Sequence, residues 1–384
     1  MVSRAYLDNA ATTLLDPVVL SAMLPYMHRL CGSPSATHSY GREAKVAVEK
    51  ARKQVAGLLN VAPAHLFFTS GGTEGNNMVL RGAVEALRIR HVITSPLEHM
   101  AVLEPLAQMT RTGHIQCHYV DVDAQGDLQY AHLTSLLERY PQALVSLMHG
   151  NNEIGNLNDL TRIGEICQTY KAVFHTDAVQ TLGHYALDLR NIPVHLLVGS
   201  AHKFHGPKGV GIVYVGPDSQ LAPLIYGGGQ ERGMRGGTEN VPGIVGLATA
   251  LEVAYRDMAT HQAYIRQLKQ HMLHRLVTTL SDVAFHGASH DLEQSLYTLL
   301  SVSLPPSIEH EMLLFNLDIQ EIAAAAGSAC ASGSLRPSHV IGALGTDPQR
   351  GTVRFSFSKY NTIAEVDYAV ETLAQLCLPK ATWA

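Results

Sequence analysis

The sequence predicts an α/β fold built on one mostly parallel sheet. Seven short apolar or β-branched runs recur along the first two thirds of the chain, and such runs are typical of buried strands. The segments between several of them carry apolar residues at helical spacing, which suits the right-handed crossovers that join parallel strands. After a glycine-rich stretch at 226–243 the pattern changes, which indicates a second, smaller α+β part.

Each predicted strand is short and is bounded by turn residues. The strands lie at His65–Thr69, His91–Thr94, Gln116–Val122, Ala143–Met148, Ala172–His175, Leu196–Gly199 and Val210–Val215. Helices are predicted at Glu43–Leu59, Glu74–Leu87, Leu128–Arg139 and Leu160–Tyr170. Because such helices cover both faces of a sheet, we expect three layers.

A long helical region follows the glycine-rich stretch, from Ile244 to Leu280. We place the domain boundary inside it, near Arg256. The larger domain is then predicted at 16–256 and the smaller α+β domain at 1–15 together with 257–384, because we expect the first residues to pack on the C-terminal part.

The composition excludes several classes of function. Hydrophobic residues make up 46% of the 384 residues and charged residues 16%, which is typical of a folded globular protein. The net charge of -5 argues against a nucleic-acid or anionic-membrane binder that depends on bulk charge. No apolar run approaches the length of a membrane span, and we expect no signal peptide.

The cysteines and histidines predict neither disulfides nor a metal site. Cys31, Cys117, Cys167, Cys330 and Cys377 are odd in number, widely spaced and without a C-x-x-C pair, which favours a reducing, cytoplasmic compartment. The 21 histidines are scattered and form no H-E-x-x-H pattern, so no metal is expected.

Ligands of open α/β sheets bind at the carboxyl ends of the strands, so residues that follow the strands carry the functional interpretation. The first such motif is SGGTEGNN, in which Gly72 and Thr73 open a predicted helix. A glycine-rich turn at a helix N-terminus suits a phosphate, although a plain tight turn with Thr73 near the cap has the same pattern.

Two further strand ends carry a carboxylate and an amine. Asp177 of HTDAVQ could hold a protonated ring nitrogen, or it could cap a helix. Lys203 of GSAHKFHGPKG could form a Schiff base, whereas a single lysine is usually a solvated charge. A phosphate site, an acidic partner and an amine together are what pyridoxal 5'-phosphate requires, and their clustering favours this cofactor.

These motifs resemble the fold-type I pyridoxal-phosphate enzymes of the class V aminotransferase group, and specifically the cysteine desulfurases of the NifS/IscS type. The resemblance extends over nearly the whole chain. It includes YLDNAATT, TSGGTEGNN, SPLEHMAVLEP, MHGNNEIG, HTDAVQ, GSAHKFHGPKG, GGGQERGMRGGTENVPG, GSACASGSLRPSHV and VRFSFS, in the family's order.

The resemblance implies a role for each matching residue. Lys203 is the Schiff-base lysine, Asp177 the carboxylate on the pyridine nitrogen, and Gln180 the donor to the phenolic oxygen. His99 stacks on the cofactor ring and assists proton transfer, and Asn152 lies near the same face. By spacing alone, His99 would be read as a loop histidine.

The remaining roles concern the phosphate and the substrate. Gly72, Thr73, Ser200 and His202 match phosphate contacts. Thr238 matches a phosphate contact that the family takes from the second subunit, so a homodimer is implied. Arg354 matches the arginine that binds the substrate carboxylate, a task suited to a guanidinium fork. Without the family, Arg354 would be a strand arginine with a surface partner.

Cys330 in GSACASGS is the predicted nucleophile. Most single cysteines are buried and structural, but the neighbours of Cys330 are Gly, Ser and Ala, the composition of a mobile loop. The resemblance implies that Cys330 takes sulfur from L-cysteine, leaving L-alanine and a Cys330 persulfide, after Lys203 has removed the Cα proton. The other four cysteines are interpreted as structural.

The persulfide is expected to pass to an acceptor protein, either an iron-sulfur scaffold or a sulfur carrier for tRNA or other thiolation. The chain differs from the family in its alanine run at 323–326, and it stops at Ala384 where housekeeping members have a longer tail for scaffold docking. Two alternatives stay open: a selenocysteine lyase or other class V β-lyase or aminotransferase, and a non-catalytic sulfur-transfer scaffold. A dinucleotide site is not predicted, because GPKGVG leads into a strand rather than into a helix.

Overall fold

A computed structural model describes residues 4–306, 312–326 and 338–377. Its strands are β1 (Ala5–Tyr6), β2 (Leu66–Thr69), β3 (His91–Thr94), β4 (Gln116–Tyr119), β5 (Leu144–Ser146), β6 (Val173–Asp177), β7 (Leu196–Ser200), β8 (Gly211–Val215), β9 (Ala284–Phe285), β10 (Leu299–Leu304), β11 (Ile322–Ala323) and β12 (Gly351–Ser356). Its helices are α1 (Pro17–His28), α2 (Ser39–Leu58), α3 (Gly72–Leu87), α4 (Met100–Arg111), α5 (Tyr130–Arg139), α6 (Leu160–Thr169), α7 (Val241–Arg256), α8 (Met258–Thr279), α9 (Leu313–Ile319), α10 (His339–Ala343) and α11 (Ile363–Cys377).

The predicted seven-stranded sheet is confirmed. Its strands lie in the order β2-β8-β7-β6-β5-β3-β4. Strand β8 is antiparallel to both of its neighbours, and the other pairs are parallel. Strands β2, β6 and β7 therefore run in one direction, and their carboxyl ends reach the same edge of the sheet.

Helices cover both faces of this sheet. One face packs against α2, α5, α6 and α7 in a core that includes Phe68 and Leu197. The other face packs against α3 and α4, with Phe67 and Val198 contributing. Neighbouring strand residues thus point into different cores, as the alternation of side chains along a strand requires, and the expected three layers are present.

A separate core lies around the C-terminal part of the chain. The antiparallel sheet β12-β10-β9 packs with α8, α9 and α11 in this core. Strand β1 pairs in parallel with β11, so the first described residues join this part as well. The domain boundaries themselves stay a prediction.

One helix expectation is wrong, and two helices of the larger part were not predicted. The predicted helix at 244–280 is two helices, because the chain leaves helical geometry at Asp257. The change of direction lets α7 pack on the sheet core and α8 on the C-terminal core. Helices α1 and α4 were not predicted, and each contains a proline, Pro25 or Pro105, a residue that disfavours a helix interior. Within the described residues, no helix has both the length and the apolarity to cross a membrane.

Candidate active site

One cavity lies at the sheet edge where β6 and β7 end and α3 begins. It brings together nine of the predicted site residues from five separate segments of the chain. These are Gly72, Thr73, His99, Asn152, Asp177, Gln180, Ser200, His202 and Lys203.

Asp177 is the last residue of β6 and presents a buried carboxylate to the cavity. Its Oδ2 accepts a hydrogen bond from Asn76 Nδ2 at 2.6 Å, and its Oδ1 accepts one from the Val179 amide at 2.9 Å. A turn rather than a helix follows β6, so the alternative that Asp177 caps a helix is wrong. The two donors hold the carboxylate in a fixed orientation.

The turn between β2 and α3 has the geometry of an anion-binding helix start. Gly71 precedes α3 with φ of 153°, a region that favours glycine, and no side chain caps the helix there. A Cβ on Gly72 would meet Val179 Cγ2 at 2.8 Å, so only glycine fits. A second opening, lined by Gly72, Thr73, Ser200, His202 and Lys208, lies at this helix start. The free amides and Lys208 make it suitable for a phosphate.

Lys203 lies in a short 3-10 turn directly after β7. Its Nζ donates to the main-chain oxygens of Ala10 at 2.5 Å and Ala11 at 2.8 Å. Gln180 Nε2 also donates to the Ala10 oxygen, at 3.0 Å. The segment after β1 therefore holds two of the predicted site residues through its carbonyl groups.

Two histidines of the cavity have a lowered pKa. Burial lowers the pKa of His99; the Asp177 carboxylate opposes this effect and the Lys203 charge adds to it. Its Nδ1 accepts a hydrogen bond from the Ala101 amide at 3.0 Å, so the proton of the neutral ring is on Nε2. Burial and the charges of Lys203 and Lys208 lower the pKa of His202 to about 4.

Arg354 on β12 is 1% exposed and lies beside the cavity rather than in its wall. Its Nη1 donates to the Asn152 carbonyl and its Nη2 to Asp8 Oδ1, both at 2.8 Å. Its Nε has no hydrogen-bond partner among the described residues. Arg354 is therefore next to a wall residue, with one buried donor still unused.

Besides Arg354, Thr238 is the described site residue that does not line this cavity. Thr238 is exposed on the loop before α7, away from the cavity of its own chain. Cys330 lies outside the described residues. Among the other cysteines, Cys31 is exposed, while burial raises the pKa of Cys167 to about 12 and that of Cys117 to about 11.

Sequence reasoning missed Asn76 and Glu98. Asn76 follows Gly72 by one helical turn, so the spacing places it on the face of α3 that meets the cavity. Glu98 precedes His99 and is 1% exposed. Burial raises the pKa of Glu98 well above the usual range, and its Oε1 accepts from the Met148 amide at 2.8 Å. A buried acid next to a cavity residue carries no signal in a single sequence.

The sequence model of the aminotransferase class-V family matches residues 5–369. The chain belongs to this family. Membership implies pyridoxal phosphate as the family's cofactor. The cysteine desulfurase IscS of Dictyoglomus turgidum is 38% identical over 98% of this chain and 95% of its own length. The chain therefore belongs to the cysteine desulfurase branch of the family.

Solved structures agree with this relationship. A NifS-like protein superposes with a TM-score of 0.88 at 37% identity, covering 97% of this chain and 98% of that one. SspA in complex with cysteine superposes with a TM-score of 0.80 at 30% identity, and the match covers 93% of this chain and 100% of the SspA chain. Both likenesses extend over the sheet and the C-terminal part together.

Proposed function

We propose that the protein is a pyridoxal-phosphate-dependent cysteine desulfurase that converts L-cysteine to L-alanine and places the sulfur on Cys330. The observation that carries this proposal is the convergence of Lys203, Asp177, His99 and the α3 start on one cavity. The relatives that resemble the chain over its full length bear the name cysteine desulfurase.

The residues of the cavity fit pyridoxal phosphate. The uncapped start of α3, with Thr73, Ser200 and His202, suits the phosphate. The Asp177 carboxylate suits a protonated ring nitrogen, and Lys203 would hold the aldehyde carbon covalently. When bound, pyridoxal phosphate withdraws electrons from the Cα of an attached amino acid and so acidifies its proton.

The proton chemistry then belongs to side chains of this chain. Lys203, once the substrate amine has replaced it, takes the Cα proton and can return a proton later. The ring of His99 lines the cavity and offers a face for stacking, and its Nε2–H remains a donor because Nδ1 accepts from the Ala101 amide. Arg354 and Asn152 are the proposed contacts of the substrate carboxylate, and Arg354 would exchange its bonds to the Asn152 carbonyl and Asp8 for the substrate.

Sulfur transfer requires a thiolate, and Cys330 is the proposed one. Its sulfur attacks the sulfur of the substrate and forms an S–S bond, while the Cβ–S bond of the substrate breaks. The electron pair of that bond stays on Cβ, which takes a proton before L-alanine leaves. The persulfide then passes to an acceptor protein, an iron-sulfur scaffold or a sulfur carrier.

We further propose a homodimer in which Thr238 contacts the phosphate bound by the partner subunit. Thr238 is exposed on its own chain. Large apolar side chains are also exposed on α1 and on the loop that leads to Thr238, among them Val18, Met27 and Tyr226. A second copy of the chain would cover such a surface.

The first test is alanine release from L-cysteine by wild type and Cys330→Ser, with a reductant present. Cys31→Ser, which removes an exposed thiol, is the matched control. We expect wild type and Cys31→Ser to turn over and Cys330→Ser to be inactive. Equal turnover by Cys330→Ser would favour a lyase, including a selenocysteine lyase, and inactivity of the wild type would favour another substrate or a scaffold.

A further inference from the structure

The short turn Ala201–Lys203, which carries the predicted Schiff-base lysine, has each of its three carbonyl groups bonded. The first two carbonyl oxygens accept from main-chain amides at 2.9 to 3.1 Å. The third, that of Lys203, accepts from Nε2 of His184 at 3.0 Å. Because the last carbonyl groups of a helical turn have no partner within it, these bonds fix the course of the chain at Lys203.

The ring of His184 is oriented by contacts at both of its nitrogens. A carbonyl oxygen can only accept a hydrogen bond, so Nε2 carries a proton. Burial lowers the pKa of His184; the bond to the Lys203 carbonyl opposes this effect and the neighbouring His261 adds to it. In the neutral ring Nδ1 is then an acceptor, and the hydroxyl of Tyr297 lies 3.0 Å from it. The Tyr297 contact therefore favours the tautomer in which Nε2 donates to Lys203.

Tyr297 presents this hydroxyl from the C-terminal core. Its side chain is 1% exposed and packs in that core. The hydroxyl also lies 3.2 Å from the His184 carbonyl oxygen, but Gln262 Nε2 already donates to that oxygen at 2.7 Å. The nearer acceptor is Nδ1, so a residue of the C-terminal core sets the orientation of the His184 ring.

Close packing leaves the His184 turn little room to move. Gly183 has a φ of 81°, and a Cβ on it would lie 2.6 Å from Cβ of Phe204. Phe204 directly follows Lys203 and is 2% exposed. The main chain beside His184 therefore packs against the residue after Lys203, in addition to the hydrogen bond.

The amine end of Lys203 is connected to the same part of the molecule. Nζ donates to the oxygens of Ala10 and Ala11. The Ala10 amide in turn donates to Oγ of Ser356, on β12, at 2.8 Å. The C-terminal part thus holds Lys203 at both ends, through the segment after β1 at the amine and through His184 at the carbonyl group.

We propose that His184 is a positioning residue that fixes the main chain of Lys203 for covalent attachment of pyridoxal phosphate, and that Tyr297 holds His184 in the donating tautomer. Lysine has a flexible four-carbon chain, so the place where its amine reacts depends on how firmly its main chain is held. The proposal rests on the part of the proposed function that attaches the cofactor to Lys203.

Paired substitutions at position 184 separate reach from polarity. His184→Gln places an amide N–H group near the position of Nε2, whereas His184→Asn places it near Nδ1, too far from the Lys203 carbonyl. Tyr297→Phe removes the hydroxyl and keeps the ring. Tyr255→Phe is its matched control, because the Tyr255 hydroxyl accepts from the Leu187 amide, at 3.2 Å. Urea unfolding of each variant reports whether the fold is preserved.

Each cofactor-free protein is titrated with pyridoxal phosphate, and borohydride reduction followed by peptide mass spectrometry locates the attached cofactor. We expect His184→Asn to weaken binding about tenfold and Tyr297→Phe about fivefold, because the lost bonds leave the Lys203 main chain less firmly held. His184→Gln and Tyr255→Phe should stay within about twofold of wild type.

The His184→Asn change is also made in Lys203→Ala protein, to test whether the effect passes through Lys203. This protein lacks the amine and holds the cofactor without a covalent bond, so we expect His184→Asn to change its affinity by less than about twofold. Equal weakening in both backgrounds would indicate a general structural role and would overturn the proposal.

A further readout needs no cofactor. Acetic anhydride acetylates Lys203 and the exposed Lys50 in the cofactor-free protein, and Lys50 serves as the internal reference. We expect His184→Asn to raise the rate at Lys203 relative to Lys50 by at least about threefold, because the amine leaves the Ala10 and Ala11 oxygens more often.

Wild-type affinity and acetylation in His184→Asn would also overturn the proposal. If wild type gives no reduced adduct at Lys203, the proposed function fails, and the acetylation ratio decides separately whether His184 holds Lys203. If wild type attaches the cofactor but releases no alanine from L-cysteine, the desulfurase assignment fails, and the affinities still decide the role of His184.

Discussion

Replacement of Asn76 tests the buried side of the cofactor site. Asn76 Nδ2 is one of two donors to the Asp177 carboxylate, at 2.6 Å, and Asn76 is 1% exposed. A hydrogen bond to a charged group contributes about 1.5–3 kcal/mol. Asn76→Ala should therefore weaken pyridoxal phosphate binding, lower kcat/KM for L-cysteine, or both. The product of the two effects should be about 10- to 150-fold.

The assay is titration of the cofactor-free protein with pyridoxal phosphate, followed by alanine release at saturating cofactor. Asn76→Asp is the matched variant, because the introduced carboxyl group lies beside Asp177 in a buried setting and its pKa is raised. It can donate to Asp177 only while protonated, so its activity should fall as pH rises. Wild-type affinity and kcat/KM in Asn76→Ala would refute the role of Asn76 in orienting the Asp177 carboxylate.

Three further predictions concern stability and substrate binding. Arg52 and Glu231 form a buried ion pair with N···O distances of 2.7 and 2.8 Å and side chains that are 3% exposed. Arg52→Met should lower the free energy of unfolding in urea by about 3–5 kcal/mol, and adding Glu231→Leu should restore part of it. Burial lowers the pKa of Lys269 to about 7. The unfolded chain therefore binds the Lys269 proton more tightly than the folded chain does, and the free energy of unfolding should rise as pH increases. Between about pH 7 and pH 9 this rise should be about 2 kcal/mol larger in wild type than in Lys269→Met. Arg354→Lys should raise KM for L-cysteine by at least about tenfold, measured by alanine release, because lysine lacks the guanidinium fork.

Each of these expectations has a result that contradicts it. An Arg52→Met protein as stable as wild type would show that Glu231 is accommodated without the guanidinium. Parallel stability-pH curves for wild type and Lys269→Met would show that Lys269 keeps its proton when folded. A change in kcat alone in Arg354→Lys would place Arg354 outside carboxylate binding.

The strand-end motifs predicted most of the cavity, and the reason is topological. Residues that follow parallel strands meet at one sheet edge, so Asp177, Ser200 and Lys203 come together whatever the details of packing. The residues that hold them were not predictable in the same way. The main-chain oxygens of Ala10 and Ala11, which accept from Lys203, have no side-chain signal.

Long-range contacts account for the other omissions. Asn76 is distinguished only by its 2.6 Å contact with a residue 101 positions away. Ser338 and Glu153 are separated by 185 positions and contact each other only because α10 docks on the cavity wall. No local pattern encodes such a pair, since propensity and periodicity concern neighbours in sequence.

The sequence by itself determined the α/β class and the seven strands, because apolar periodicity and turn chemistry are local properties. Its strand-end motifs indicated the phosphate turn, Asp177 and Lys203, whereas His99 and Asn152 were expected only from the family resemblance. The tertiary structure decided the break between α7 and α8, the donors that hold Asp177, the carbonyl oxygens that accept from Lys203, and the docking of α10 beside the cavity. These depend on which distant segments become neighbours when the apolar faces are buried, and burial also lowers the pKa of His99 and His202 and raises that of Glu98.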